Sequence, residues 1–183
     1  MNGAKAAATV AGIALATLGV TVSGANAAPP GNIGTKAPAL QGSTWSVGKP
    51  TTLASLKGKV VLLSFWTTRC INCQRTVPYW AGWAKQAAKS DDFSVVTVHT
   101  PEFGNERPVK VSHDYATAHG LNVPVLVDND RKNWDAYNIE FWPTTILIDK
   151  KGVVRGRWEG ELNYDKSGTF REVDSLLAKL RKE

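Results

Sequence analysis

Cysteine is almost absent from this chain: Cys70 and Cys73 are the only two in 183 residues. Two cysteines exclude the dense disulfide framework of small secreted scaffolds. The two-residue separation would close a loop too short to constrain the unfolded chain much. The pair also supplies only half of a four-ligand zinc site, and the three histidines, His99, His113 and His119, are scattered. This spacing therefore favours a redox dithiol over a structural disulfide or a metal site.

Long runs of one charge are missing as well. The formal net charge is +6, yet the basic residues are spread along the chain with acidic residues among them. No basic run is interleaved with aromatic residues, as a nucleic-acid-binding surface would require. The pattern is typical of a solvated surface and argues against nucleic-acid binding.

The N-terminus carries an apolar run from Ala6 to about Val22, preceded by the single charge of Lys5. Ala25-Asn26-Ala27 then fits the small-x-small pattern of a cleavage site. The sequence predicts a signal peptide over 1–27, cleaved before Ala28, with export to an oxidising compartment and no stable membrane insertion afterwards. The alternative is a retained anchor, although the run is marginal for a span of about 20 residues.

The remainder divides into a short lead-in and one domain. Residues 28–36 are rich in proline and glycine and are predicted to be flexible. Residues 37–183 are enough for a single domain with its own core.

Alternating strand and helix patterns fill that domain. The run 60–66 is almost continuously apolar, which is typical of a central parallel strand. The order of elements predicts a sheet with helices on both faces, parallel at first and ending in an antiparallel hairpin. The predicted strands are 60–66, 94–99, 123–127, 144–148 and 153–158, and the predicted helices are 71–89, 106–119, 130–138 and 168–181.

Three segments carry a family resemblance. Trp66-Thr67-Thr68-Arg69-Cys70-Ile71-Asn72-Cys73 resembles the W-x-x-x-C-x-x-C signature of thioredoxin-like proteins. Pro78 matches the helix proline of that family, and Phe141-Trp142-Pro143-Thr144-Thr145 resembles its cis-proline segment. The likeness covers residues 34–182.

Within the superfamily, the chain most resembles the exported TlpA/ResA branch, and above all the thioredoxin-like domain of DipZ-type membrane proteins. The segments Cys-Ile-Asn-Cys, Val98–Phe103 and Asp128-Asn129-Asp130 carry this likeness. It implies a thioredoxin-like three-layer α/β fold with a central mixed sheet, an N-terminal extended extension and a helical insert. It implies no cofactor and no metal.

The resemblance makes Cys70 the attacking thiol and Cys73 the resolving one. A helix start agrees with this order, because unpaired N–H groups and the helix dipole stabilise a thiolate there. Arg69 would add a positive charge. Trp66 and Trp142 are expected near the sulfurs, with a cis Trp142-Pro143 bond forming the wall against which substrates dock.

Two positions depart from the family pattern. Ser64 stands where thioredoxins carry a buried acid, and Thr76 stands where the ResA-like branch carries a glutamate. We predict Glu102, at the carboxyl end of the strand 94–99, as the substitute proton acceptor; the alternative is a solvated loop carboxylate. His99 is expected to be a packed, hydrogen-bonded residue rather than a catalyst.

These features predict an exported thiol–disulfide oxidoreductase acting on protein disulfides or thiols. The branch implies a reductant, serving exported proteins or cytochrome maturation, with a membrane partner as electron donor. A disulfide-forming oxidant of the same fold, passing electrons to a membrane acceptor, is one alternative. A non-catalytic or metal-binding interaction domain is the other.

Overall fold

The computed structural model describes Met1, Ala28, residues 30–166 and residues 168–183. Apart from Met1, the signal peptide predicted over 1–27 lies outside the described residues, so it stays a prediction. Among the residues that are described, no helix is long and apolar enough to cross a membrane.

One mixed sheet of six strands forms the centre of the domain. Its spatial order is β1-β4-β3-β2-β5-β6. The strands are β1 (Trp45–Val47), β2 (Val60–Trp66), β3 (Phe93–His99), β4 (Val125–Val127), β5 (Thr144–Ile148) and β6 (Val154–Glu159). The helices are α1 (Ile71–Ala87), α2 (Val109–Ala118), α3 (Lys132–Ala136) and α4 (Thr169–Lys182).

Strand β2 lies in the middle of the sheet, and all seven of its residues are buried. It pairs in parallel with β3 and antiparallel with β5, and β3 continues in parallel to β4. The last two strands form the antiparallel hairpin. The predicted fold class is therefore confirmed: a thioredoxin-like α/β fold with a mixed sheet.

Alternate residues of each strand face opposite layers, as the pleat requires. Leu62 of β2 and Val95 of β3 pack under α1, α2 and α4. Leu63 and Val96 face the other layer, with α3 and the segment 37–56. Burial of one such leucine stabilises the fold by about 1.5–3 kcal/mol. Helices thus cover both faces, as predicted.

Prolines explain two of the places where the observed boundaries differ from the predicted ones. Helix α2 begins at Val109 rather than at 106, because Pro108 is extended and a short 3₁₀ turn occupies Gly104–Glu106. Strand β4 begins at Val125 rather than at 123, because Pro124 has no N–H to donate to a ladder.

The end of the predicted lead-in is tied to the last hairpin. The backbone N–H of Gly34 donates to Val154 O at 2.8 Å, and Val154 N–H donates to Thr35 O at 2.9 Å. Lys36 forms an antiparallel bridge with Val153. The flexibility predicted for 28–36 stays a prediction.

Candidate active site

The dithiol lies at the start of α1. Cys70 is the N-cap residue, with an extended backbone, and its Sγ accepts the backbone N–H of Cys73 at 3.2 Å. Both cysteines are free thiols. The sulfur of Cys70 therefore takes the place that an oxygen side chain fills in an ordinary N-cap.

The two thiols have opposite electrostatic environments. Hydrogen bonds from the Cys73 side chain and from the N–H groups of Cys73 and Asn72 lower the pKa of Cys70 to about 7, against burial and the negative charge of Glu102. Burial, followed by the neighbouring Cys70, raises the pKa of Cys73. Cys70 is partly exposed, whereas Cys73 is buried. This asymmetry suits an attacking thiol at Cys70 and a resolving thiol at Cys73.

The loop before β5 brings Trp142 and Pro143 to the dithiol. The Trp142-Pro143 bond is cis. The Cys70 thiol donates to the carbonyl oxygen of Trp142, with an S···O distance of 3.6 Å. The indole of Trp142 donates to Thr100 O at 3.1 Å and packs against Trp134 with ring centroids 4.2 Å apart. These contacts fix the wall beside Cys70.

Trp66 and Arg69 occupy different parts of the site. Trp66 is fully buried and belongs to the same core cluster as Cys73. Arg69 is exposed, and its guanidinium lies 5.6 Å from the centre of the Phe103 ring. The role predicted for its charge at Cys70 stays a prediction.

Glu102, the predicted proton acceptor, is exposed in the loop after β3. Its charge opposes ionisation of Cys70. The carboxylate whose charge acts on Cys73 is instead that of Glu106, which is 1% exposed. The assignment of Glu102 stays a prediction, but Glu106 is the buried acid of this site.

Five donors hold the Glu106 carboxylate. Oε1 accepts from the hydroxyls of Thr67 and Thr68 and from the Arg69 backbone N–H, and Oε2 accepts from the N–H groups of Glu102 and Phe103. Burial raises the pKa of Glu106, but these hydrogen bonds outweigh it and bring the pKa down to about 2. Glu106 therefore fastens the loop before Cys70 to the loop after β3.

Sequence reasoning missed Glu106 because a glutamate in a loop is usually solvated. A signal was present, however. Two adjacent hydroxyl residues, Thr67 and Thr68, directly precede the dithiol segment at the end of a buried strand, and both need an acceptor.

Ser64 and Thr76, the positions of the missing family acids, are both fully buried. Thr76 donates its hydroxyl to Asn72 O and accepts from Leu162 N–H. Ser64 Oγ has no hydrogen-bond partner among the described residues. At both positions a hydroxyl side chain therefore stands in place of the family's carboxylate.

Large apolar side chains are exposed on the loops and the helix start that carry the site. Ile71 follows Cys70 and is 57% exposed, Phe141 precedes Trp142 and is 55% exposed, and Phe103 lies beside Arg69 and is 50% exposed. Exposed aromatic and aliphatic groups of this kind commonly mark a contact surface. Over the described part of the chain, no three His, Cys, Asp or Glu side chains converge as metal ligands would.

Comparison with known proteins agrees with this geometry. The model of the AhpC/TSA family matches residues 33–157. The chain belongs to this thioredoxin-like family. Family relatives include DipZ of Mycobacterium tuberculosis, 41% identical over 139 residues, which are 73% of this chain and 20% of DipZ. ResA of Bacillus subtilis, a thiol-disulfide oxidoreductase, is 39% identical over 107 residues, 58% of this chain and 56% of ResA.

The chain therefore spans about a fifth of DipZ and about half of ResA. Among solved structures, the thioredoxin-like superfamily protein SPOA0173 superposes with a TM-score of 0.69 at 25% identity, covering 81% of this chain and 97% of that one. The resemblance to the TlpA/ResA branch and to DipZ is confirmed. This member of the AhpC/TSA family carries a Cys70–Cys73 dithiol at the start of α1 of its thioredoxin-like fold.

Proposed function

We propose that the chain works outside the cytoplasm as a reductant of protein disulfides. The single observation that carries this direction is the environment of Cys70, a partly exposed thiol at a helix start with a pKa of about 7. The leader-like residues 1–27 support export.

The reaction has two steps in the reducing direction. The Cys70 thiolate attacks one sulfur of a partner disulfide, forming a mixed disulfide and releasing the other sulfur as a thiolate. Cys73 then loses its proton and attacks Cys70, which forms the Cys70–Cys73 disulfide and releases the second partner thiolate. Two electrons pass from the dithiol to the partner.

The acidity of Cys70 supports this direction. A strongly depressed pKa stabilises the reduced form and makes a dithiol oxidising: about 3.5 in DsbA, against about 7 in the reductant thioredoxin. The pKa of Cys70, about 7, is close to that of the thioredoxin thiol.

The surroundings of Cys70 support a protein as substrate. The exposed side chains of Ile71, Phe103 and Phe141 offer apolar contact on the helix start and the loops that carry the site. Trp142 and Pro143 would form the docking wall. Disulfides of exported proteins, including those of proteins in cytochrome maturation, are the proposed substrates, and a membrane reductant is the proposed donor.

The equilibrium potential of the Cys70–Cys73 couple tests the direction. Incubation in glutathione buffers of graded ratio, followed by quantification of free thiols, should give a potential near the thioredoxin value of about −270 mV. A potential near the DsbA value of about −120 mV would identify a disulfide-forming oxidant instead.

The order of attack has its own test. Cys73→Ala should accumulate mixed disulfides with partner proteins through Cys70, because no resolving thiol remains. Cys70→Ala is the matched control and should trap none. Recovery of equal amounts from both variants would contradict the assigned order.

A further inference from the structure

The segment Asp128-Asn129-Asp130, one of those that carry the family likeness, joins β4 to α3. Asp128 is 4% exposed, and its Oδ1 accepts from the backbone N–H and the side-chain amide of Asn133. Its Oδ2 accepts from the backbone N–H of Trp134 at 3.0 Å and from the hydroxyl of Thr100 at 3.1 Å. Because Thr100 follows β3 and Trp134 belongs to α3, this one carboxylate ties the two elements together.

Thr100 and Trp134 both contact the indole of Trp142. The indole N–H donates to Thr100 O, and the ring packs on that of Trp134. Trp134 is 5% exposed and belongs to the core cluster on its face of the sheet. The Arg131 guanidinium lies 4.3 Å from the centre of the Trp134 ring and 5.6 Å from that of Trp142, within the range of cation–π attraction. The indole is therefore held by a hydrogen bond and by ring packing.

The backbone of Trp142 touches the attacking sulfur. Its carbonyl oxygen accepts from the Cys70 thiol, with the S···O distance of 3.6 Å. A hydrogen bond donated by the thiol stabilises the neutral form, and so does burial of the sulfur away from water. The hydrogen bond from the Cys73 side chain has the largest influence on the pKa of Cys70 and lowers it, whereas burial comes next and raises it. The position of Trp142 therefore bears on the ionisation of Cys70.

We propose that Trp134 is a positioning residue for Cys70: its ring holds Trp142 so that the Trp142 carbonyl oxygen stays on the sulfur. This inference rests on the proposed thiol–disulfide exchange and adds a residue of another element that sets the reactivity of the attacking thiol. Asp128 supports the arrangement, because it fixes both Thr100 and the start of α3. Trp134 acts through Trp142 and is not itself a catalytic residue.

Loss of the Trp134 ring has an effect of defined direction. When Trp142 is free to move, its carbonyl oxygen leaves the sulfur and water reaches the thiol. Both changes favour the thiolate, so the pKa of Cys70 should fall. The same movement displaces the wall against which a partner disulfide docks, and a displaced contact slows a reaction that depends on alignment.

The test compares the pH dependence of Cys70 alkylation in the wild type and in Trp134→Leu. The reduced protein reacts with iodoacetamide at graded pH, and mass spectrometry of the peptide that carries Cys70 gives the rate. The midpoint in Trp134→Leu should lie about half a pH unit below that of the wild type, the size expected when one weak neutral hydrogen bond is lost. The substitution removes no charge, so Asp128 and Arg131 beside the ring are unchanged, and so is Glu102, whose charge acts on Cys70.

A second readout is the reduction of insulin disulfides with dithiothreitol as the electron donor. Trp134→Leu should lower kcat/KM by about tenfold, because the wall beside Cys70 is displaced. Trp134→Phe, which restores an aromatic ring, should return both the midpoint and kcat/KM towards the wild-type values. A midpoint as low in Trp134→Phe as in Trp134→Leu would contradict ring packing as the cause.

Trp83→Leu is the matched control. Trp83 is 3% exposed, but it lies about three turns into α1 and donates its indole N–H to Asp174. The loss of a large buried ring destabilises both variants. Only Trp134→Leu should shift the midpoint of Cys70, since a general loss of stability does not change the contacts of the sulfur in the folded protein.

A Trp134→Leu midpoint equal to that of the wild type overturns the inference, and so does an equal shift in Trp83→Leu. If Trp134→Leu does not fold, Trp142→Phe decides, because it removes the indole bond to Thr100. A lower midpoint in Trp142→Phe supports the inference, and an unchanged one overturns it. A wild-type protein that does not reduce insulin refutes the proposed function itself, whatever the Trp134 variants show.

Discussion

Replacement of Glu106 by glutamine tests how strongly the active-site loop is fastened. The amide keeps the shape of the carboxylate but has one acceptor oxygen, whereas Glu106 accepts backbone N–H donors on both sides, from Arg69 at Oε1 and from Glu102 and Phe103 at Oε2. In either orientation, the NH₂ group of the glutamine amide faces backbone N–H groups, which are also donors. With two charge-assisted bonds lost at about 1.5 kcal/mol each, the free energy of unfolding should fall by about 3 kcal/mol.

The pKa of Glu106 expresses the effect of the same hydrogen bonds as a free energy. Its fall from 4.5 to about 2 corresponds to about 3 kcal/mol of folding free energy. Because the pKa is depressed in the folded protein, this stabilisation is fully present above pH 4.5 and is lost as the pH falls towards 2. The gap between wild type and Glu106→Gln should therefore narrow by about 2 kcal/mol between pH 5 and pH 3.

Urea unfolding of the reduced protein, followed by tryptophan fluorescence at several pH values, measures both quantities. Glu102→Gln is the matched control, since Glu102 is exposed in the same loop, and should change stability by less than about 0.5 kcal/mol. A loss below about 1 kcal/mol in Glu106→Gln at pH 7, or a gap that is the same at pH 5 and pH 3, would refute the reasoning.

Two further predictions concern the thiol and the core. The rate of Cys70 alkylation by iodoacetamide should rise with pH to a plateau, with its midpoint near pH 7. Cys73→Ala should move this midpoint to higher pH, because the hydrogen bond from the Cys73 side chain is the first cause of the low pKa of Cys70. A wild-type midpoint near pH 9 would contradict the geometry. Gly156→Ala should cost about 1–3 kcal/mol in urea unfolding, since a Cβ there overlaps the Trp158 ring and Leu176. Gly82→Ala, with open space inside α1, should instead gain about 0.5–1 kcal/mol, and equal effects of the two substitutions would refute the packing.

Local patterns were sufficient for much of the fold. The apolar run 60–66 predicted β2 with its observed bounds, because a strand covered on both faces needs an unbroken apolar sequence. The cysteine spacing after that strand placed both sulfurs at the start of α1. The antiparallel pairing of β1 with β4 was not predicted, since such a short edge strand carries little sequence pattern.

The buried acid was beyond local reasoning for a physical reason. Glu106 becomes buried only where the loop after β2 meets the loop after β3, and neither segment alone indicates that contact. His99 was correctly expected to be packed, but its ring has no hydrogen-bond partner among the described residues. The missing hydrogen bond could not be predicted, because it depends on the packing of Trp66 and Tyr115 in the folded protein.

The outer edge of β6 has a consequence for contacts between folded molecules. The unpaired N–H and C=O groups of an exposed edge strand can pair with a strand of another molecule. Here the first residue of β6 is already bonded to Gly34 and Thr35, and Arg155 and Arg157 follow at alternate positions. The guanidinium of Arg157 also clamps the carbonyls of Tyr137 and Asn138. The arginine charges and the segment around Gly34 and Thr35 thus disfavour pairing of the β6 edge with a second molecule.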